Sequence, residues 1–208
     1  MPLSEANLYL CTDRRGSFAE FGDFVRRAFS GGVDIIQLRD KQLEAKQELK
    51  YLEILSEAAR EFQRLWAVND RADIAQLSGA DVLHVGQEDI SPVDAKSIIL
   101  SSTRIGLSTH SELEAFEANM NPNVDYFAVG PCWPTPTKPG RPAPGLNLVK
   151  YVSSLQVDKP WFAIGGIGFE EVDQVIDAGA TRIVVVRAIT NSDNPERAAK
   201  RLKELLPR

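Results

Sequence analysis

The chain has 208 residues, 43% of them hydrophobic and 25% charged, as expected for one soluble globular domain that can bury a core without staples. Lysine and arginine total 24 against 29 acidic residues, and the net charge of −5 argues against a general affinity for nucleic acid while allowing a small cationic pocket. The two cysteines, Cys11 and Cys132, are too few for a disulfide framework or a tetrahedral zinc site, which points to a reducing, cytoplasmic setting. The N-terminus lacks a cationic stretch followed by an apolar one, and no apolar run approaches the ~20 residues that span a bilayer, so no leader and no membrane contact are expected.

Eight short apolar, β-rich runs alternate with amphipathic stretches along the chain. After the first run, Leu8-Tyr9-Leu10-Cys11, the spacing of Phe21, Phe24, Val25 and Ala28 predicts a helix over 18–29, ended by Gly31-Gly32. The second run, Ile35 to Leu38, continues into Gln37-Leu38-Arg39-Asp40-Lys41. Alternation puts Gln37, Arg39 and Lys41 on one side, an arrangement that suits a multiply charged anion or, equally, a solvated loop. A helix over 44–62 leads to the third run, 65–68, followed by Asn69-Asp70-Arg71 and a short helix through Leu77.

The fourth run, 82–85, is followed by Gly86-Gln87-Glu88-Asp89 and then Ser91-Pro92, an N-cap and first-turn pair. Asp70 and Asp89, from adjacent loops, suit one hard cation such as Mg²⁺, although helix capping would use the same residue type. His84 lies inside the fourth run, where a core or hydrogen-bonded role is expected; His110 follows the fifth run near Ser108, which is better placed to bond substrate. Ser111 and Glu114 have capping-box spacing before a helix to about Met120.

After the sixth run, 126–129, a long proline-rich connection over 131–145 contains Thr135-Pro136-Thr137-Lys138, readable as a phosphate clamp or as a rigid surface turn. This connection is the expected lid. Asn147 opens a helix to Ser154. The seventh run, 161–164, ends in Gly165-Gly166, where backbone N–H groups can approach an oxyanion or simply make a tight turn. A helix over 170–178, an eighth run over 183–186 and a last helix from Pro195 to Leu206 complete the chain. Eight strand–helix units predict an α/β chain folded as a single (β/α)8 TIM barrel over 1–208, with the site at the C-terminal strand ends.

In this order, Gln37 to Lys41, Val68-Asn69-Asp70, His84-Val85-Gly86-Gln87-Glu88-Asp89, Gly106-Leu107-Ser108, Thr135 to Lys138 and Ile164-Gly165-Gly166-Ile167 resemble the thiamine phosphate synthase family over essentially the whole chain. The resemblance implies a Mg²⁺-dependent transferase that joins a hydroxymethylpyrimidine diphosphate to a thiazole phosphate, releasing pyrophosphate. It assigns the pyrimidine diphosphate to Gln37, Leu38, Arg39, Asp40, Lys41, Asn69, Ser108 and Lys138, with Arg39, Lys41, Ser108 and Lys138 nearest the chemistry. Mg²⁺ falls to Asp70 and Asp89. The thiazole phosphate falls to Thr135, Pro136, Thr137, Gly165 and Gly166, with Val186 and Arg187 beside them.

Two departures stand out: Arg187 occupies a position where many relatives have serine, and Arg71 one where some have a further acid. A thiazole tautomerase or a ligand-binding paralogue on the same barrel would lack some of Arg39, Asp70, Asp89 and Lys138, and all are present. An aldolase would want a lysine within a strand, and runs five to seven have none. Barrels of this kind occur as monomers and as homodimers, and the partners that the resemblance implies are small phosphorylated molecules.

Overall fold

The computed structural model describes residues 1–134 and 143–207. Its strands are β1 (Leu8–Thr12), β2 (Ile35–Leu38), β3 (Leu65–Asn69), β4 (Val82–Val85), β5 (Arg104–Thr109), β6 (Tyr126–Val129), β7 (Trp161–Ile164) and β8 (Ile183–Val185). All pair in parallel and in chain order, and β8 returns to β1 to close a barrel. The intervening helices are α1 (Phe18–Ser30), α2 (Ala45–Glu61), α3 (Ala72–Ser78), α4 (Pro92–Ile98), α5 (Glu112–Met120), α6 (Leu146–Ser154) and α7 (Val172–Asp177). A single turn, α8 (Arg187–Thr190), and the terminal α9 (Pro195–Leu205) follow β8. No helix among the described residues is long and apolar enough to cross a membrane.

The alternation of the strands separates two cores. Leu8, Leu10, Ile36, Leu38, Leu83, Val85, Phe127 and Val129 face outward and pack under the helices. Tyr9, Ile35, Ala67, Val82, Tyr126, Phe162 and Val184 fill the barrel interior. There the Tyr9, Tyr126 and Phe162 rings meet edge to face or tilted, with centroids 5.6–6.2 Å apart. The Tyr126 ring passes over Gly106 so closely that a Cβ there would lie 2.1 Å from its Cζ, which is why β5 carries glycine at this point.

At the opposite end from the expected site, an aspartate stands just before each of β2, β4 and β6 and ties it to the preceding strand. Asp34 accepts the Leu8 N–H (3.0 Å), Asp81 that of Trp66 (3.3 Å) and Asp125 that of Ile105 (2.8 Å). Asp34 is fully buried and also pairs with Arg64 (2.9 Å) and with Lys203 of α9. Before β8 the corresponding residue is Arg182, which instead donates to the Ala6 and Ser4 carbonyls (3.2 and 3.0 Å).

Two strand boundaries bear on the site. β3 and β5 run on to include Asn69 and Ser108–Thr109, whereas β8 stops at Val185, so that Val186 caps α8 and Arg187 begins it. The reciprocal capping box occurs at Ser17 and Glu20 of α1. At α5 only half of it forms: Ser111 accepts the Glu114 N–H (3.2 Å), but the Glu114 carboxylate accepts from His110 (2.7 Å).

Candidate active site

The C-terminal strand ends surround a cavity of about 360 Å³. Inward-facing positions of β1 to β5 give it a polar side: Cys11, Gln37, Asn69, His84 and Ser108. From β7, β8 and the cap of α8 it receives Ile164, Val184 and Val186. The cavity thus has one hydrogen-bonding half and one apolar half, side by side.

Within the polar half, neighbouring strands hold one another's side chains. The Cys11 thiol donates to Gln37 Oε1 (2.8 Å), and Gln37 Nε2 donates to Asn69 Oδ1 (3.4 Å). His84 Nε2 lies 2.9 Å from Ser108 Oγ, and Nδ1 lies 2.9 Å from the Tyr126 hydroxyl. Gln87 donates to the Ser108 carbonyl (2.7 Å), and His110 Nδ1 is held by the Gly130 carbonyl (2.7 Å). Gln37, Asn69 and Ser108 are legible in the sequence as candidate site residues, whereas the cavity positions of Cys11, His84 and Gln87 are not. Their signal is the inward parity of each strand, which becomes readable once the register is known.

Arg39 and Lys41 line the cavity, as their parity with Gln37 predicts. Leu38 instead points into the outer core and is 1% exposed, while Asp40 lies beside Arg14 (3.7 Å) and accepts the Gln42 N–H (3.0 Å). Any contact from these two positions to a ligand in the cavity would therefore be through the backbone.

Asp70 and Asp89 line the same cavity, and neither caps a helix: Arg71 precedes α3, and Ser91 caps α4. Asp70 adopts a left-handed backbone (φ 61°), donates its N–H to the His84 carbonyl (2.8 Å), and pairs with Lys41 Nζ (3.0 Å). Asp89 accepts the Gly86 N–H (2.7 Å). No cluster of three or more His, Cys, Asp or Glu suited to a metal occurs among the described residues. Two carboxylates without nitrogen or sulfur donors fit a hard cation such as Mg²⁺, which takes the rest of its shell from water and phosphate oxygens.

On the other side, Gly165 and Gly166 have φ of 102° and 73°. A Cβ on Gly165 would lie 2.4 Å from Pro131 Cβ, and one on Gly166 2.7 Å from Trp133 Cβ, so the turn is pressed against the start of the β6–α6 connection. Two backbone hydrogen bonds fasten it there, from Cys132 N–H to the Ile164 carbonyl (2.8 Å) and from Trp133 N–H to the Gly165 carbonyl (3.0 Å). Val186 and Arg187 line the cavity beside this turn, and β1 alone separates β2, which Arg39 follows, from β8, which Arg187 follows. Thr135, Pro136, Thr137 and Lys138, and with them most of the expected lid, lie outside the described residues.

Burial pushes the Cys132 thiol up to about 12, and it pushes the phenols of Tyr9 and Tyr126 well above their ordinary value. What the site offers is placed positive charge, acids that include Asp70 and Asp89, and a hydrogen-bonding floor.

The profile of the thiamine monophosphate synthase family matches residues 8–189. The chain belongs to this family. A thiamine-phosphate synthase of Streptomyces avermitilis is 51% identical over 204 residues, covering 98% of this chain and 95% of the relative. That of a Mycobacterium species is 56% identical over 213 aligned residues, covering 98% and 94%. Among solved structures, the thiamine phosphate pyrophosphorylase of Pyrococcus furiosus superposes with a TM-score of 0.85 at 31% identity, covering 96% of this chain and 94% of that one. Members of the family are transferases of thiamine biosynthesis, so the strand-end cavity belongs to an enzyme.

Proposed function

We propose that this chain joins 4-amino-2-methyl-5-hydroxymethylpyrimidine diphosphate to a thiazole phosphate, forming thiamine phosphate and pyrophosphate. The carrying observation is one cavity that combines cations from β2, a carboxylate pair from the β3 and β4 ends, and a glycine turn at β7. The pyrimidine diphosphate lies along the polar half, its ring on Gln37, Asn69 and Ser108 and its phosphates toward Arg39, Lys41 and Lys138. The thiazole phosphate lies on the apolar half, with its phosphate toward Gly165, Gly166, Arg187 and the Thr135-Pro136-Thr137 segment.

The bond between the pyrimidine methylene carbon and the diphosphate oxygen breaks first, and both electrons leave with pyrophosphate. The thiazole nitrogen then donates its lone pair to the methylene carbon. Stabilising charge that develops on the leaving oxygen is the principal demand, which Arg39 and Lys41 meet from the end of β2. Holding the two rings face to face supplies much of the remaining acceleration. Asp70 and Asp89 would hold Mg²⁺, which when bound adds positive charge beside the departing diphosphate. Lys41 has two partners in this scheme: Asp70 in the ligand-free site and the diphosphate in the loaded one.

The purified protein, supplied with Mg²⁺ and both substrates, is expected to release pyrophosphate and form thiamine phosphate in equal amounts. Absence of product at saturating concentrations of all three would sink this assignment.

A further inference from the structure

The β6–α6 connection is held at its root from both flanks. Gly130 is buried, lies just past the end of β6, and sits so close to β7 that a Cβ there would be 2.1 Å from the Ile164 carbonyl oxygen. On that flank Cys132 and Trp133 donate their N–H groups to the Ile164 and Gly165 carbonyls (2.8 and 3.0 Å). From the far end of the connection, the Gly145 N–H returns to the Pro131 carbonyl (3.4 Å), so the segment is drawn together at a neck. The β5 flank is where His110 acts. Thr109 accepts the Gly130 N–H (3.1 Å), and the His110 ring reaches the Gly130 carbonyl through Nδ1 (2.7 Å). A carbonyl oxygen can only accept, so Nδ1 carries a proton whether the ring is neutral or charged. Without that donor a buried carbonyl beyond the strand ladder would be left unpaired, which is costly. His110 is itself braced, because its backbone N–H is accepted by the Glu114 carboxylate (2.7 Å) at the start of α5.

We propose that His110 is a positioning residue: by donating from Nδ1 to the Gly130 carbonyl it seats the neck of the 131–145 connection against the Gly165–Gly166 turn, and so sets the affinity for the thiazole phosphate. The inference rests on the assignment of that phosphate to the glycine turn and to the Thr135-Pro136-Thr137 segment, which the connection carries. Both parts of that seat meet at the neck. The turn is fastened to Cys132 and Trp133, and the threonines follow two residues later in the chain. Releasing the Gly130 carbonyl would leave the neck held from β7 with only the Thr109 backbone bond on the β5 flank, and the two parts of the seat would lose their common footing. The ring lines the cavity, so a direct role for Nε2 on a ligand is the competing reading. The two readings use opposite nitrogens of one ring, which makes them separable.

A pair of variants of equal shape tests this. Asparagine places an amide nitrogen where histidine has Nδ1 and has nothing at Nε2, whereas leucine fills the same space with no donor at all. In His110→Leu the KM for the thiazole phosphate is expected to rise about tenfold, the effect of one lost hydrogen bond, with kcat changed much less. In His110→Asn it should stay within about twofold of the wild type. Equal impairment of the two variants would assign the role to Nε2 and overturn the proposal, as would a wild-type KM in His110→Leu. Amide exchange at Cys132 and Trp133 gives a readout that needs no turnover. It should quicken by about tenfold in His110→Leu and not in His110→Asn, and equal rates in both would overturn the proposal. Should the wild type form no thiamine phosphate, the proposed function is what fails, and the exchange result still decides the role of His110. If His110→Leu does not fold, His110→Asn decides alone by keeping or losing the wild-type KM. If neither folds, the wild-type ring decides in ¹⁵N-histidine-labelled protein: a proton on Nδ1 of His110 is expected, and its absence overturns the proposal.

Discussion

Asp70 shows how much a single residue type reveals and how much it hides. An acid following the third apolar run was visible as a candidate ligand, with helix capping as its competitor. Capping drops out because α3 begins beyond Asp70, which stands in the left-handed region at φ 61°. That backbone matters for choosing a variant: asparagine visits this region readily, whereas alanine would add strain unrelated to chemistry. Asp70→Asn should fold normally and lose turnover on the order of 10²-fold, since a metal clamp on developing charge is worth several kcal/mol. Unchanged turnover at saturating Mg²⁺, read by pyrophosphate release, would remove Asp70 from the metal site. The partners of such residues were not legible. Ser108 and Tyr126 lie 24 and 42 positions from His84 along the chain, and only strand register brings them to one ring.

At the scale of elements, local signals served well where the chain bonds to itself and less well where a neighbour intervenes. Ser17 and Glu20 form a full capping box because nothing competes for either side chain. Ser111 and Glu114 have the same spacing, but β5 delivers the His110 N–H to the glutamate, and half of the motif is diverted. α8 is four residues long, too short for any helical period to register. The aspartates before β2, β4 and β6 are also an element-level device, and Asp81 makes it measurable. Burial is the largest influence on its carboxyl and raises the pKa in the folded state. Folding therefore favours the protonated form. That contribution is fully present below the unfolded value of ~3.9 and is lost as pH rises through the higher folded value. Asp81→Asn keeps an acceptor for the Trp66 N–H and carries no charge to desolvate. Its melting temperature should exceed the wild type's at pH 7, and the gap should shrink towards zero near pH 3.

For the whole molecule, the barrel was legible because a strand buried on both faces reads as a continuous apolar run, and eight such runs leave few alternatives. The division of its mouth into a polar and an apolar half was not, since it depends on which residue of each run faces inward at the same height. That division follows chain order, with the hydrogen-bonding floor on β1 to β5 and the apolar wall on β7 and β8. The aspartate ties are distributed in the same way: they join β1 to β2, β3 to β4 and β5 to β6, and Arg182 breaks the series before β8. The β7–β8 ladder is also brief, with Ala163 opposite Ile183 and Ile164 opposite Val184. Native-state hydrogen exchange should find these strands least protected, and equal or slower exchange than in β1 to β6 would contradict that.

A closed barrel has no free edge, so before it can unfold or be cut by a protease it has to part between two staves. With no aspartate tie and a ladder of two residue pairs, β7–β8 is expected to be the joint that gives first. Directly above that joint lie Gly165, Gly166 and Val186, where the thiazole phosphate would be seated. Its phosphate would act as a rivet across the joint, and the lifetime of the enzyme against proteolysis would then rise and fall with the supply of its own substrate.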